Sequence, residues 1–205
     1  MVQPAPQVHN ALAQFSAATL HEAAGRSWVL PYELRPVWPG ARVFGPAYTV
    51  SQEAGSNGWL HRAIYGAPTG AVLVVVTGDR AFGYWGELMA SAALERGLAG
   101  LVIEGGVRDV EELERLGFPV FASAVCMRGT QKLPLGEGGL GEPLALGRAR
   151  VRSGDLVVGD RDGVVVLPAE GLDGVMERAE RREAKEKRML QRLHDGERLL
   201  DLVLP

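Results

Sequence analysis

Residues 71–109 read AVLVVVTGDRAFGYWGELMASAALERGLAGLVIEGGVRD, and the fold is decided in this stretch. The run AVLVVV at 71–76 is apolar and β-branched without polar alternation, the pattern of a strand buried on both faces. TGDRAFGYWG at 77–86 reads as a polar, glycine-rich loop. ELMASAALER at 87–96 is made of strong helix formers and stops at Gly97, and Leu101–Ile103 begin a second strand within AGLVIEGG. A helix over about Val110–Leu116 and a third strand in FPVFAS complete a βαβαβ series, which predicts parallel strands joined by right-handed crossovers.

Working outward, the N-terminal side is helical in pattern from Val8 to Arg26, with Ser16 or Thr19 as a cap and Gly25 as the stop. Pro31, Pro36 and Pro39 then prevent any long element. RVFGPAYTVS at 42–51 reads as a strand interrupted by Gly45 and Pro46. On the C-terminal side, RVRSGDLVVGDRDGVVVLP at 150–168 carries Ser-Gly-Asp and Asp-Gly turn signals between apolar runs, which predicts an antiparallel β unit. A charged helix over Gly174–His194 closes the chain, with Glu177 and Arg181, and Glu183 and Lys187, spaced for i,i+4 pairing. Val175, Leu190 and Leu193 give that helix an apolar seam suited to docking.

The chain is of single-domain length, 205 residues, and at 46% hydrophobic it can build a core without covalent staples. One cysteine, Cys126, excludes an internal disulfide framework and points to a reducing compartment, the cytoplasm. No apolar run is long enough to span a bilayer, and Met1–His9 lacks a signal-peptide pattern. The formal net charge of −3 offers no electrostatic footprint for a nucleic-acid backbone. His9, His21, His61 and His194 have no metal-ligand spacing, so zinc chemistry is not expected. The loop at 77–86 lacks both GxGxxG and the P-loop Gly-Lys-Ser/Thr, which argues against a nucleotide site.

Ligands collect outside the carboxyl ends of parallel strands, and two such ends present Glu87 and the pair Arg108-Asp109. Gly86, Glu87, Leu88 and Met89 open a helix, where free N–H groups and the helix dipole favour an anion such as a carboxylate. The same residues also have a purely structural reading. Asp109-Val110-Glu111-Glu112 has the spacing of a capping box, Glu87 complements a helix dipole, and Arg108 suits a surface ion pair with Glu111 or Glu112. Asp160 and Asp162 are assigned to a tight turn, and Trp59, Trp85, Tyr65 and Tyr84 read as packing anchors, with a place facing the pocket or a subunit contact as the alternative.

ATLHEAAGR, ARVFGPAYTV, the stretch GYWGELMASAALERGLAGLVIEGGVRD, FPVFA and SGDLVVGDRDGVVVLP together resemble the RraA-like family. That family includes 4-hydroxy-4-methyl-2-oxoglutarate / 4-carboxy-4-hydroxy-2-oxoadipate aldolases and proteins described as regulators of ribonuclease E. Its aldolase signature is an acidic residue, twenty intervening residues and Arg-Asp, matched here by Glu87, residues 88–107 and Arg108-Asp109. The usual first member is aspartate, so this chain is one methylene longer there. A further acidic residue three places after the Asp is present as Glu112.

The resemblance implies an α/β fold, a swivelling β/β/α sandwich with a parallel βαβαβ core and an antiparallel β unit. It would form one domain, with an N-terminal helical arm over about 1–30, a core over about 40–168 and a C-terminal helix over about 173–195. It implies a homotrimer, or a hexamer of stacked trimers, with sites between subunits. By the same resemblance Asp109 binds a divalent ion, Mg²⁺ or Mn²⁺. Arg108 holds the keto oxygen or enolate, and the amides of 86–89 take the substrate carboxylate. Glu87 positions a base through water, and Glu186, in AKEKRMLQRLHDGE, matches an acid donated by a neighbouring subunit, although a solvated helix face also explains it. The implied activity is aldol cleavage or decarboxylation of a small 2-oxo acid to pyruvate. The competing expectation is a non-catalytic regulator that masks a ribonuclease by protein–protein binding.

Overall fold

A computed structural model describes residues 11–131 and 135–203. In chain order the elements are α1 (Ala17–Ala23), β1 (Arg35–Pro36), β2 (Val43–Gln52), α2 (Gly58–Gly66), β3 (Val72–Val76), β4 (Gly83–Trp85), α3 (Glu87–Glu95), β5 (Gly100–Val107), α4 (Val110–Leu116) and β6 (Val120–Val125). The second part of the chain adds β7 (Gly138–Leu140), β8 (Leu144–Leu146), β9 (Ala149–Val151), β10 (Leu156–Asp160), β11 (Gly163–Leu167), α5 (Leu172–His194) and α6 (Leu199–Val203).

One mixed sheet carries the fold, in the order β1-β6-β5-β3-β2-β10-β11, with β4 added to β5 and β7 to β2. The pairs β2–β3, β3–β5, β4–β5 and β5–β6 are parallel, and β10 pairs antiparallel with both β2 and β11. The expected parallel series and antiparallel unit are therefore halves of one sheet. Strand β2 joins them. Its residues 43–46 pair with β10 and its residues 47–51 with β3, so the strand runs unbroken through Gly45-Pro46, where an interruption was expected. Glycine is needed at 45 because a Cβ there would lie 2.4 Å from the carbonyl oxygen of Gly70.

Alternation along the strands divides the apolar residues into distinct clusters. Leu73, Val75, Leu101 and Ile103 pack under α2, α3 and α4, whereas Val72, Val74, Val102, Phe121 and Val157 fill the opposite, concave face. Burying one such side chain contributes about 1.5–3 kcal/mol, which makes both faces of the sheet a source of stability. A third cluster joins α1 and the start of α5 to the outer face of β10 and β11 through Leu20, Val158, Val165 and Val175.

The sheet is nearly closed by the proline-rich segment, which holds no long element, as expected, and only the two-residue β1. The Leu30 N–H donates to Val164 O at 2.9 Å, and Arg35 and Pro36 pair with Ala122 and Phe121 on the other edge. Arg35 Nη1 donates to Asp162 O at 2.8 Å. Seven residues of chain therefore bridge β11 and β6, which removes edges that would otherwise be open to pairing.

Ser16 caps α1 as expected, its hydroxyl accepting from Thr19 N at 3.0 Å, and Gly25 follows with φ +78°. His9 and the beginning of the expected N-terminal helix lie outside the described residues. Asp160 and Asp162 do make a turn, since Asp160 Oδ1 accepts from Asp162 N at 3.0 Å. The C-terminal helix docks only by its first turns. Leu172, Val175 and Ala179 are buried, but Leu190 is 56% exposed and α6 has no buried residue, so the expected seam through Leu190 is not covered within the chain. Glu177 reaches Arg181 at 3.8 Å, whereas no ion pair joins Glu183 to Lys187, and Glu186 binds Arg182 instead. Among the described residues no helix is long and apolar enough to cross a membrane.

Candidate functional site

The segment 77–86, expected to be loop throughout, folds its second half into β4, which adds to the end of β5 by pairing Gly83 with Gly106 and Trp85 with Val107. Gly83 N also donates to Arg128 O at 2.7 Å, so three chain segments meet here. The packing admits no side chain at two of these glycines. A Cβ at Gly83 would lie 2.4 Å from Cys126 O, and one at Gly106 2.4 Å from Phe82 O. Tyr84 and Trp85 are buried, with Trp85 stacked on Phe118 at 5.8 Å between centroids. Among the described residues Trp85 Nε1 has no hydrogen-bond partner, so this indole is held by packing.

With β4 beside β5, the two strand tips deliver Gly86-Glu87 and Arg108-Asp109 to one place. Arg108 N donates to Trp85 O at 2.9 Å, and Glu87 N donates to Asp109 Oδ2 at 3.1 Å. Arg108 Nε lies 3.8 Å from the same oxygen. The contact needs Gly86, because a Cβ there would lie 2.2 Å from Asp109 Oδ2. Asp109 itself adopts the left-handed conformation, φ +59° and ψ +43°. That conformation costs a non-glycine residue about 1–2 kcal/mol.

The strained backbone corrects the capping-box reading. Asp109 occupies the N-cap position of α4 but makes no side-chain cap, because its carboxylate is turned back to Glu87, and Glu112 pairs with Arg115 at 2.6 Å. Arg108 pairs with neither Glu111 nor Glu112; its neighbour is Asp109.

These residues line a cleft of about 420 Å³ at the N-terminus of α3. Trp85 and Gly86 contribute from β4 and its end, Arg108 and Asp109 from the end of β5, Gly129-Thr130 from the chain after β6, and Asn57 and His61 from α2. The Ala90 N–H to Gly86 O bond is the first of the α3 ladder. The N–H groups of Leu88 and Met89 therefore have no acceptor within the helix and can bind an anion there. Arg108 and Asp109 have half-exposed side chains, so their mutual attraction is weak and both remain open to a ligand. Among the described residues, the Asp109 carboxylate meets Glu87 N and Arg108 Nε through Oδ2, and no group of three or more His, Cys, Asp and Glu side chains is placed to hold an ion.

Glu87 contributes its backbone N–H to this arrangement, while its side chain is exposed and makes no hydrogen bond among the described residues. Glu186 is elsewhere on the same chain. It lies on α5, 2.8 Å from Arg182 Nη2, and lines a groove with Phe15 and Leu190.

Sequence reading missed Asn57, His61 and Gly129-Thr130 as cleft residues, together with helix α2 itself. Asn57 Nδ2 donates to Tyr84 O at 3.4 Å and approaches Met89 Sδ at 3.6 Å, tying the start of α2 to β4 and α3. Desolvation holds the His61 imidazole below its usual pKa. The i,i+4 spacing of Asn57 and His61 was the one signal that a shared helical face existed.

A family model described as RraA-like, Aldolase/RraA, matches residues 6–166. The chain is 31% identical over 164 residues to a Halalkalibacterium halodurans protein provisionally named a 4-hydroxy-4-methyl-2-oxoglutarate aldolase, covering 80% of this chain and 77% of that one. Among solved structures, an uncharacterized Pseudomonas syringae protein superposes with a TM-score of 0.87 at 26% identity, covering 98% of this chain and 94% of the other. The RNA-processing inhibitor RraA from Thermus thermophilus superposes with a TM-score of 0.68 at 27% identity, covering 76% and 93%.

Proposed function

The chain belongs to the RraA-like family, and from that premise we propose that it is a divalent-metal-dependent lyase that cleaves a C–C bond of a small 2-oxo acid to give pyruvate. The observation that carries the reading is the convergence of Arg108, Asp109 and the open N-terminus of α3 in one cleft. Relatives named as aldolases support a lyase at the level of the family.

The substrate carboxylate binds at the N–H groups of Leu88 and Met89, where the helix dipole adds to the hydrogen bonds. The 2-oxo group then lies toward Arg108, whose guanidinium stays charged and stabilises negative charge as it develops on that oxygen. In aldol cleavage the 4-hydroxyl loses its proton, the C3–C4 bond breaks and its electron pair passes to the pyruvate enolate. In decarboxylation the bond to the departing CO₂ supplies the same electron pair. Protonation at C3 ends both reactions. Glu87, acting through water, positions the base.

The Asp109 carboxylate suits a hard ion such as Mg²⁺ or Mn²⁺, which keeps much of its water and needs few protein ligands. When bound there, the ion supplies Lewis-acid polarisation of the 2-oxo group. Glu186 enters from a neighbouring subunit in a homotrimer, a placement favoured by the uncovered outer half of α5. A mass of one chain in light scattering would reject this assembly.

The test is pyruvate release from oxaloacetate and from 4-hydroxy-4-methyl-2-oxoglutarate, with added Mg²⁺ or Mn²⁺ and with a chelator. Turnover that the chelator abolishes, and that Arg108→Lys lowers by about 10²- to 10³-fold, supports the reading. Consumption of neither acid, or full activity in Asp109→Ala, rejects it. The likeness to Thermus thermophilus RraA keeps a second reading, ribonuclease regulation by protein binding. Inhibition of a ribonuclease that persists in Asp109→Ala would favour that reading.

A further inference from the structure

We propose that His61 is a specificity-determining residue that reads the polar substituent on C4 of the substrate, the part beyond the pyruvoyl group. The inference rests on the lyase reading above and assigns a role to the α2 residues of the cleft. The α3 N–H groups and Arg108 take the carboxylate and the 2-oxo oxygen, but the cleft of about 420 Å³ is several times larger than a pyruvoyl group. Among the elements lining the cleft is α2, which presents Asn57 and His61 one turn apart.

The two residues are not equivalent. The Asn57 amide nitrogen is engaged with Tyr84 O and Met89 Sδ, which ties it to the helix start. The His61 ring makes no hydrogen bond among the described residues, although it lines the cleft on a helix turn that Asn57 anchors. Its N–H and its lone-pair nitrogen are both free for a ligand. Desolvation favours the neutral ring, which offers one donor and one acceptor at once. A hydroxyl beside a carboxylate on C4 has the complementary groups, one to donate and others to accept. Pyruvate itself has no C4 and therefore neither group.

The experiment compares the KM for 4-hydroxy-4-methyl-2-oxoglutarate with the Ki for pyruvate as a competitive inhibitor, in the parent, His61→Ala and His61→Gln. Loss of a hydrogen bond to the C4 substituent raises the KM of His61→Ala about 5- to 10-fold while the pyruvate Ki moves less than about 2-fold, and His61→Gln recovers most of the loss. An unchanged KM in His61→Ala overturns the proposal. So does a parallel rise in KM and Ki, which would mean that the cleft as a whole had been disturbed. A parent that releases pyruvate from no acid rejects the lyase reading and this inference with it. An active parent whose KM to Ki ratio is indifferent to residue 61 rejects the inference alone. Should the alanine variant fail to fold, the same ratio in His61→Gln and His61→Asn decides.

Discussion

The N–H of Glu87 and the carboxylate of Asp109, 22 positions apart in sequence, meet at 3.1 Å, and only a glycine at 86 leaves room for the contact. This bond joins the start of α3 to the end of β5. It fixes the direction of the Asp109 carboxylate and uses the first N–H of the helix, leaving the next two for a ligand.

Gly86→Ala therefore places a methyl group 2.2 Å from Asp109 Oδ2 and forces that carboxylate to move. Its φ of −161° is open to alanine, so the effect is one of contact and not of backbone strain. Displacement of a site group by about 1 Å can cost 10²-fold in rate, and a loss of that order in kcat/KM is expected. Steady-state kinetics beside thermal melting checks it; unchanged kinetics would show that the cleft tolerates the shift.

Asp109→Gly should separate stability from activity. Glycine adopts the left-handed conformation at no steric cost, so the variant keeps or gains up to about 1 kcal/mol of stability although it loses the hydrogen bond from Glu87. Asp109→Ala retains the strain and should be the less stable of the two by about 1 kcal/mol. Both should be inactive as lyases. Denaturant unfolding of the pair measures the difference.

Phe118 is fully buried and carries the stacked ring of Trp85. Phe118→Ala removes that support and should cost about 3–5 kcal/mol. Because Trp85 also borders the cleft, the variant should lose activity at temperatures where it remains folded. Unfolding midpoints and turnover measured on the same preparation check both effects.

Asp155 gives a pH dependence of known sign. Burial raises its pKa above the ordinary 3.8, and the hydrogen bonds from Arg152 N and Ala169 N only partly oppose this. The folded state thus holds the proton more tightly than the unfolded one. Stability from this group is complete below 3.8 and is lost as pH rises through the folded value. Asp155→Asn cannot ionise, so its stability relative to the parent should improve across that window and then stay level. A constant difference between the two across the window would contradict the raised pKa.

Much of this protein follows from short-range pattern. AVLVVV, AGLVIEGG and FPVFAS become β3, β5 and β6, as short apolar runs between turn residues do in a sheet with both faces covered. The nearness of Glu87 to Arg108-Asp109 was also expected, since ligand-binding groups collect outside the carboxyl ends of parallel strands. The tertiary structure decided what such periods do not encode. Three residues, 83–85, are too few to show alternation and become a strand only because β5 offers an edge. The left-handed Asp109, the glycine it requires at 86, the closing bridge at 30–36 and the arrival of His61 in the cleft all depend on contacts between distant segments. Those contacts are set by close packing across the chain, where a single Cβ is admitted or excluded by an atom many residues away.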